Sequence, residues 1–386
     1  VSAAGEVFGA DRLAAVAERH AHARALLGSA LAGEPSHAYL FHGPRGVGKS
    51  DVARNFAAAL LAAGARDPAS AFERTLRGAH PDLTWVVPSG AHDMLLADIA
   101  EPVIRGATRT PIEGARRVFV IERAETMSDS VANSMLKTLE EPAGYAHFIL
   151  LTAQLERVLP TIVSRCQAVR FDAIPAPAIA RLLAGEGVET ERAASAGALA
   201  AGDVALAREL ASDDGDAMRS EAGRIVGCAL RGVSGRERPW TGVIGRAQQA
   251  GETAEQELLA RLADDLEAFP KGRERTAAQK EGEQAAHRTA RRVRSDSLDR
   301  SLRICGLLLR DIAVAAAGAP DLLLARDRYD SIVRSARGRP VGPVLDAVAE
   351  IELTRRALSR NVAEELALQA LSFRLDRLLA TVNAGA

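Results

Sequence analysis

The stretch Gly43-Pro44-Arg45-Gly46-Val47-Gly48-Lys49-Ser50 decides how this chain is read. Its spacing is GxxxxGKS, and each position has a mechanical task. The glycines let successive backbone N–H groups curl around a phosphate, the lysine supplies a point charge, and the serine hydroxyl is placed for Mg²⁺. On this reading Gly43, Pro44, Arg45, Gly46, Val47, Gly48, Lys49 and Ser50 cradle ATP or ADP, with Ser50 on Mg²⁺. Such a loop joins a buried strand to a helix, whose N-terminus adds a positive dipole end. Both neighbours are present: apolar Ala38-Tyr39-Leu40-Phe41 precedes the loop, and an Ala-rich helical stretch, Asp51 to Ala63, follows it.

Working outward, apolar residues recur at helical spacing from Leu13 to Leu31. Downstream, Trp85-Val86-Val87 reads as a strand stopped by Pro88, and a helix is expected from about Met94 to Arg105. Val118 to Ile121 and Phe148 to Thr152 are short and almost wholly apolar, the pattern of strands covered on both faces of a parallel sheet. Between them Ser128 to Glu141 reads as a helix, N-capped by Ser128 and closed by Pro142. Strands alternating with helices give an α/β domain with a parallel sheet over residues 1–173. Beyond Phe171 strand signals nearly vanish. Ile174-Pro175-Ala176-Pro177 reads as a hinge, Ala178 to Leu210 as helical, and Asp213-Asp214-Gly215-Asp216 as a second polar break. A small helical domain over 174–215 and an all-α domain over 216–386 follow from these breaks. Lys271 to Arg294 is dense in charge of both signs, the pattern of a solvated, salt-bridged helix or a mobile loop.

The bulk numbers exclude more than they assign. With 386 residues, 47% of them apolar, and a net charge of -1, the chain offers no global electrostatic case for nucleic acid or an anionic membrane. No apolar run approaches the ~20 residues of a membrane span, so a soluble cytoplasmic protein is expected. Cys166, Cys228 and Cys305 have no CxxC spacing, which argues against a disulfide framework and a four-thiolate zinc site.

Chemistry beyond the loop rests on few positions. In loops of this kind a second motif ends in two acids, one near Mg²⁺ and one polarising water. Here it reads Val118-Phe119-Val120-Ile121-Glu122-Arg123, so Glu122 can approach Mg²⁺ while a cation stands in the second place. Glu125 is a candidate replacement carboxylate, and Thr152 a candidate contact to the γ-phosphate or its water. Ser164-Arg165-Cys166 follows Leu159-Pro160, presenting Arg165 from a loop, the manner in which arginine fingers reach a neighbour's γ-phosphate.

Three segments together resemble the AAA+ clamp-loader family: His37-Ala38-Tyr39-Leu40-Phe41-His42-Gly43, Asn133 to Pro142 reading NSMLKTLEEP, and Leu159 to Cys166 reading LPTIVSRC. The resemblance covers about the first 170 residues; beyond them only the domain order matches. It implies an AAA+ domain, a small helical lid and an all-α C-terminal collar. Glu122-Arg123 in place of Asp-Glu brings the chain nearer the delta-prime branch of bacterial DNA polymerase III than the ATP-hydrolysing gamma/tau branch. The motor branch also carries an arginine after a Gly-Ser turn in its lid. The matching place in Gly202-Asp203-Val204-Ala205 is Ala205, with Arg208 one turn on. The resemblance implies partners: gamma/tau and delta subunits, the sliding clamp, and primed DNA met through the assembly, with Arg165 offered in trans to a neighbour's ATP. Arg105, Arg109, Arg116, Arg117 and Lys137 are candidates for DNA backbone contacts. Leu61 to His80 contains no Cys where many members hold zinc, so no zinc is expected. A catalytically active gamma/tau-like ATPase is the alternative.

Overall fold

Residues of alternating direction along the strands divide the N-terminal half into two apolar layers. The computed structural model describes residues 8–89, 93–267, 272–358 and 362–380. Its strands are β1 (Ala38–His42), β2 (Leu83–Val86), β3 (Arg117–Ile121), β4 (Ala146–Thr152) and β5 (Gln167–Arg170). Between and before them run α1 (Ala10–Val16), α2 (Ala21–Ala32), α3 (Lys49–Ala62), α4 (Pro68–Leu76), α5 (Leu96–Ile99), α6 (Asp129–Glu140) and α7 (Pro160–Val163). Every pairing is parallel and the order is β2-β3-β4-β1-β5. Parallel neighbours need crossovers, and the helices supply them.

The period-2 alternation sends Tyr39, Phe41, Val118, Val120, Ile149 and Leu151 to one face, against α2 and α3. Ala38, Leu40, Phe119, Ile121, Phe148 and Leu150 go to the other, against α6 and α7. All seven residues of β4 are buried, as a central strand covered on both faces requires. Helix α3 is buried from Phe56 through Ala62, which its alanines permit because they demand little volume against the sheet. Rings lock the layers: Phe119 stacks on Phe148 at 5.2 Å, and Tyr39 meets Phe56 edge-on at 5.0 Å.

Two expected helices are divided. Leu13 to Leu31 is α1 and α2, parted before His20, which caps α2 and turns toward the phosphate loop. Met94 to Arg105 is α5 followed by a π-helical turn, Ala100–Arg105, where Pro102 lacks an N–H for the regular helical ladder.

The chain divides into two compact units, 1–174 and 175–386. Among the described residues the second contains helices and no strand: α8 (Ala176–Gly185), α9 (Thr190–Ala200), α10 (Val204–Ala211), α11 (Asp213–Arg231), α12 (Ser234–Glu237), α13 (Trp240–Glu267), α14 (Arg273–Ala316), α15 (Tyr329–Ala336), α16 (Val341–Leu358) and α17 (Glu364–Leu379). The polar run 213–216 is helical and follows the one-residue gap at Ser212 between α10 and α11. It is the acidic first turn of α11, where Ser212 caps Gly215 N–H and the carboxylates meet the positive helix end. The charged segment is likewise helical over its described part; Lys271 lies outside the described residues. His287 Nδ1 is 2.5 Å from Glu255 across the α13–α14 pair, and Arg294 is 2.5 Å from Glu364 of α17.

Candidate nucleotide site

The loop that leaves β1 takes its shape from glycine. Gly43, Gly46 and Gly48 have φ of 145°, 66° and 96°, all in the region side chains avoid. A Cβ on Gly43 would lie 2.1 Å from the Phe171 carbonyl oxygen, so the chain following β5 closes over the loop only because no side chain is there. Helix α3 then begins at Lys49 with no side-chain cap, leaving its N-terminus open to an anion. Lys49 Nζ donates to the carbonyls of Gly43 at 2.7 Å and Pro44 at 2.5 Å, which keeps the ammonium at the loop. Ser50 is exposed one residue on. Glycine conformations, uncapped helix end and lysine together fit a bound phosphate chain.

Contacts from outside the loop fix it. His20 is buried and its Nε2 donates to the Val47 carbonyl at 2.7 Å; since a carbonyl only accepts, the proton is on Nε2. Its ring packs on Phe171 at 4.9 Å. Burial first, then the charge of Arg170, holds the His42 imidazole below its usual range, so it stays neutral beside Lys49 at physiological pH.

The acidic positions are each engaged. Glu122 follows β3 and its Oε1 accepts the Trp85 indole N–H at 3.0 Å from the neighbouring strand β2. Arg123 occupies the left-handed region with φ 53°, and its carbonyl accepts from Thr126 N–H and Oγ1 in a tight turn. That turn brings Glu125 back toward the sheet. Glu125 is 5% exposed, and its Oε2 accepts the Thr152 hydroxyl at 2.7 Å and the Ala153 N–H at 3.4 Å. Thr152 pairs in register with His42, so this carboxylate and hydroxyl lie one strand from the residue that opens the loop.

Arg165 lies elsewhere. It follows α7 and precedes β5, whereas the loop leaves the far end of β1, where His42 is in register with Arg170. In a parallel pair these are opposite edges of the sheet, separated by a strand of about 10 Å. There Arg165 NH1 donates to the Thr161 carbonyl at 3.0 Å and Ser164 Oγ at 3.3 Å, and NH2 pairs with Glu140 at the end of α6. Its side chain is 33% exposed. Burial pushes the adjacent Cys166 thiol up to about 12, which leaves it a protonated packing group. Of the lid positions, Ala205 is in α10, and Arg208 forks onto Glu186 with contacts of 2.7 to 3.1 Å. Arg105 and Arg109 both pair with Glu101, Arg116 reaches the Leu60 carbonyl, and Arg117 lies over Phe119.

A five-stranded parallel sheet with β4 inserted between the loop strand and the Glu122 strand, together with this loop, defines a P-loop module of the AAA+ class. Residues 19–175 match the family model described as DNA polymerase III, delta subunit. The chain is 39% identical over 136 residues to DNA polymerase III subunit delta' of Pseudomonas aeruginosa, covering 34% of this chain and 42% of that protein. It is 36% identical over 148 residues to the Bacillus subtilis delta' subunit, covering 37% and 44%. With the gamma/tau subunit of Mycobacterium tuberculosis it shares 35% over 168 residues, covering 42% and 29%. The matches thus span less than half the length of these relatives. Over its N-terminal unit the chain is similar to DNA polymerase III subunits of both the delta' and the gamma/tau kinds.

Sequence reasoning missed His20, Trp85, Glu140 and Phe171. Each acts on its partner from 25 or more residues away; Glu140 lies within the NSMLKTLEEP segment, but nothing local pairs it with Arg165.

Proposed function

We propose that the chain is a delta-prime-like subunit of a bacterial DNA polymerase III clamp loader. It holds nucleotide in its own loop without turning it over and lends Arg165 to the ATP of a neighbouring gamma/tau subunit. The observation that carries this reading is the separation of Lys49 and Arg165 at opposite edges of the sheet. A guanidinium so far from its own loop serves a different phosphate.

Lys49 and the loop N–H groups would hold the phosphates, Ser50 and Glu122 would hold Mg²⁺, and Thr152 would face the terminal phosphate or its water. Bound Mg²⁺-nucleotide supplies a polarised phosphoryl group; the chain's residues bind and orient it. Arg123 stands where a carboxylate would orient water, and an arginine does not accept a proton. In the assembly the gamma/tau and delta subunits, the sliding clamp and primed DNA are the partners, and the chain is cytoplasmic. Residues 174–215 act as the lid and 216–386 as the collar. Arg105, Arg109, Arg116, Arg117 and Lys137 meet DNA through backbone phosphates, independently of sequence.

The test has two arms. The purified chain hydrolyses ATP negligibly with or without DNA. Arg165→Ala, in an assembly whose other ATP sites are silenced, lowers turnover at the facing gamma/tau site by about 10³-fold. Robust turnover by the chain alone, abolished by Lys49→Ala, refutes the reading. It would instead favour an active ATPase, which the intact phosphate loop and the buried Glu125 beside Thr152 support. Loss of kcat in Glu125→Gln or Glu122→Gln then identifies the carboxylate.

A further inference from the structure

Glu140 is a poor choice for its position on helical grounds alone. It is the last residue of α6, where the carbonyl ends carry partial negative charge, and Glu141 follows at once. A local choice that conflicts with its element marks a place where something else is being served. What Glu140 touches is Arg165: the carboxylate takes the NH2 group while Thr161 O and Ser164 Oγ take NH1. The guanidinium is therefore gripped from two elements, by α6 and by the turn of α7. The side chain is nevertheless one-third exposed, and Nε is in none of these contacts. An arginine so held has less rotamer freedom to lose on meeting a partner, and its Nε–H and the remaining N–H groups of the fork can still donate to an acceptor.

We propose that Glu140 is a positioning residue for the trans-acting Arg165, holding its fork at the angle from which the outer edge reaches a neighbour's phosphate. This rests on the reading of Arg165 given under "Proposed function". Because Glu140 is about half exposed, its charge is well screened and competes weakly with a polyphosphate. The fixed geometry is what the contact contributes, and misorientation of a catalytic group lowers rate more than binding.

The test uses the assembled complex with a gamma/tau-type ATPase, its other sites silenced, plus clamp and primed DNA. Glu140→Ala lowers kcat at the facing site about 3- to 10-fold with KM for ATP and subunit affinity unchanged, whereas Glu140→Gln, which keeps an acceptor, restores most of the rate. In an Arg165→Ala background Glu140→Ala has no further effect. A parallel readout needs no partner: NMR relaxation of Arg165 Nε–H in the isolated chain shows a mobile side chain in Glu140→Ala and an ordered one in the wild type. If Arg165→Ala leaves turnover intact, the trans reading itself fails and the inference with it. If Arg165→Ala is severe, three results overturn the role of Glu140 alone: unchanged kcat in Glu140→Ala, raised kcat, or an equal loss with and without Arg165.

Discussion

Gly43 shows how much of the site is decided by the absence of one methyl group. With φ 145° and the Phe171 carbonyl oxygen 2.1 Å from where a Cβ would stand, Gly43→Ala strains the backbone and pushes the chain after β5 from the loop. The expected loss is about 2–4 kcal/mol, read by denaturant unfolding, together with weakened nucleotide binding by calorimetry. The loop residues were legible in the sequence because their task is local: glycine conformation, a lysine and a serine at fixed offsets need no distant partner. The same is true of the Arg123 anomaly, which is a matter of side-chain charge. The partners were not legible. Trp85 reaches Glu122 and His20 reaches Val47 only because the sheet and α2 bring them together, and Glu125 and Thr152 were each visible without the hydrogen bond from the Thr152 hydroxyl to the Glu125 carboxylate that joins them.

Among the elements, those with chemical punctuation were readable to within a residue or two. Helix α6 starts after Ser128, whose hydroxyl accepts the Val131 N–H at 3.4 Å, and ends before Pro142. Ser128→Ala removes this long cap bond, for an expected loss of about 0.5–1 kcal/mol by thermal or urea unfolding. The apolar strands were readable because both faces of a central parallel strand are buried. Errors fell where periodicity or polarity stood in for a cap. Apolar spacing ran through the gap between α1 and α2, and the acidic cluster read as polar chain is the favourable first turn of α11, one residue past the gap at Ser212. Polarity marks both a loop and a helix N-terminus, and only the cap residue before it separates the two.

On the scale of the whole molecule, the C-terminal unit is bound by buried charge as well as by apolar packing. Arg219 of α11 is 1% exposed and pairs with Asp327, whose N–H in turn donates to Ser195 of α9 at 3.1 Å. Arg219→Ala leaves that carboxylate without its cation and opens a cavity, with an expected cost of about 3–5 kcal/mol; replacing the pair with apolar residues of similar volume is expected to be nearly neutral. Denaturant unfolding of both variants checks this. No residue near Arg219 in the sequence announces Asp327, 108 positions on. No helix among the described residues is long and apolar enough to cross a membrane. The sequence by itself determined the α/β order, the phosphate loop and the helical C-terminal region, because glycine conformation, strand burial and helical period are properties of short segments. Only the tertiary structure decided that Lys49 and Arg165 stand at opposite edges of one sheet, and that Glu140 holds the latter. Strand order and register are set by packing between distant segments, and they alone convert positions in a chain into distances between charges.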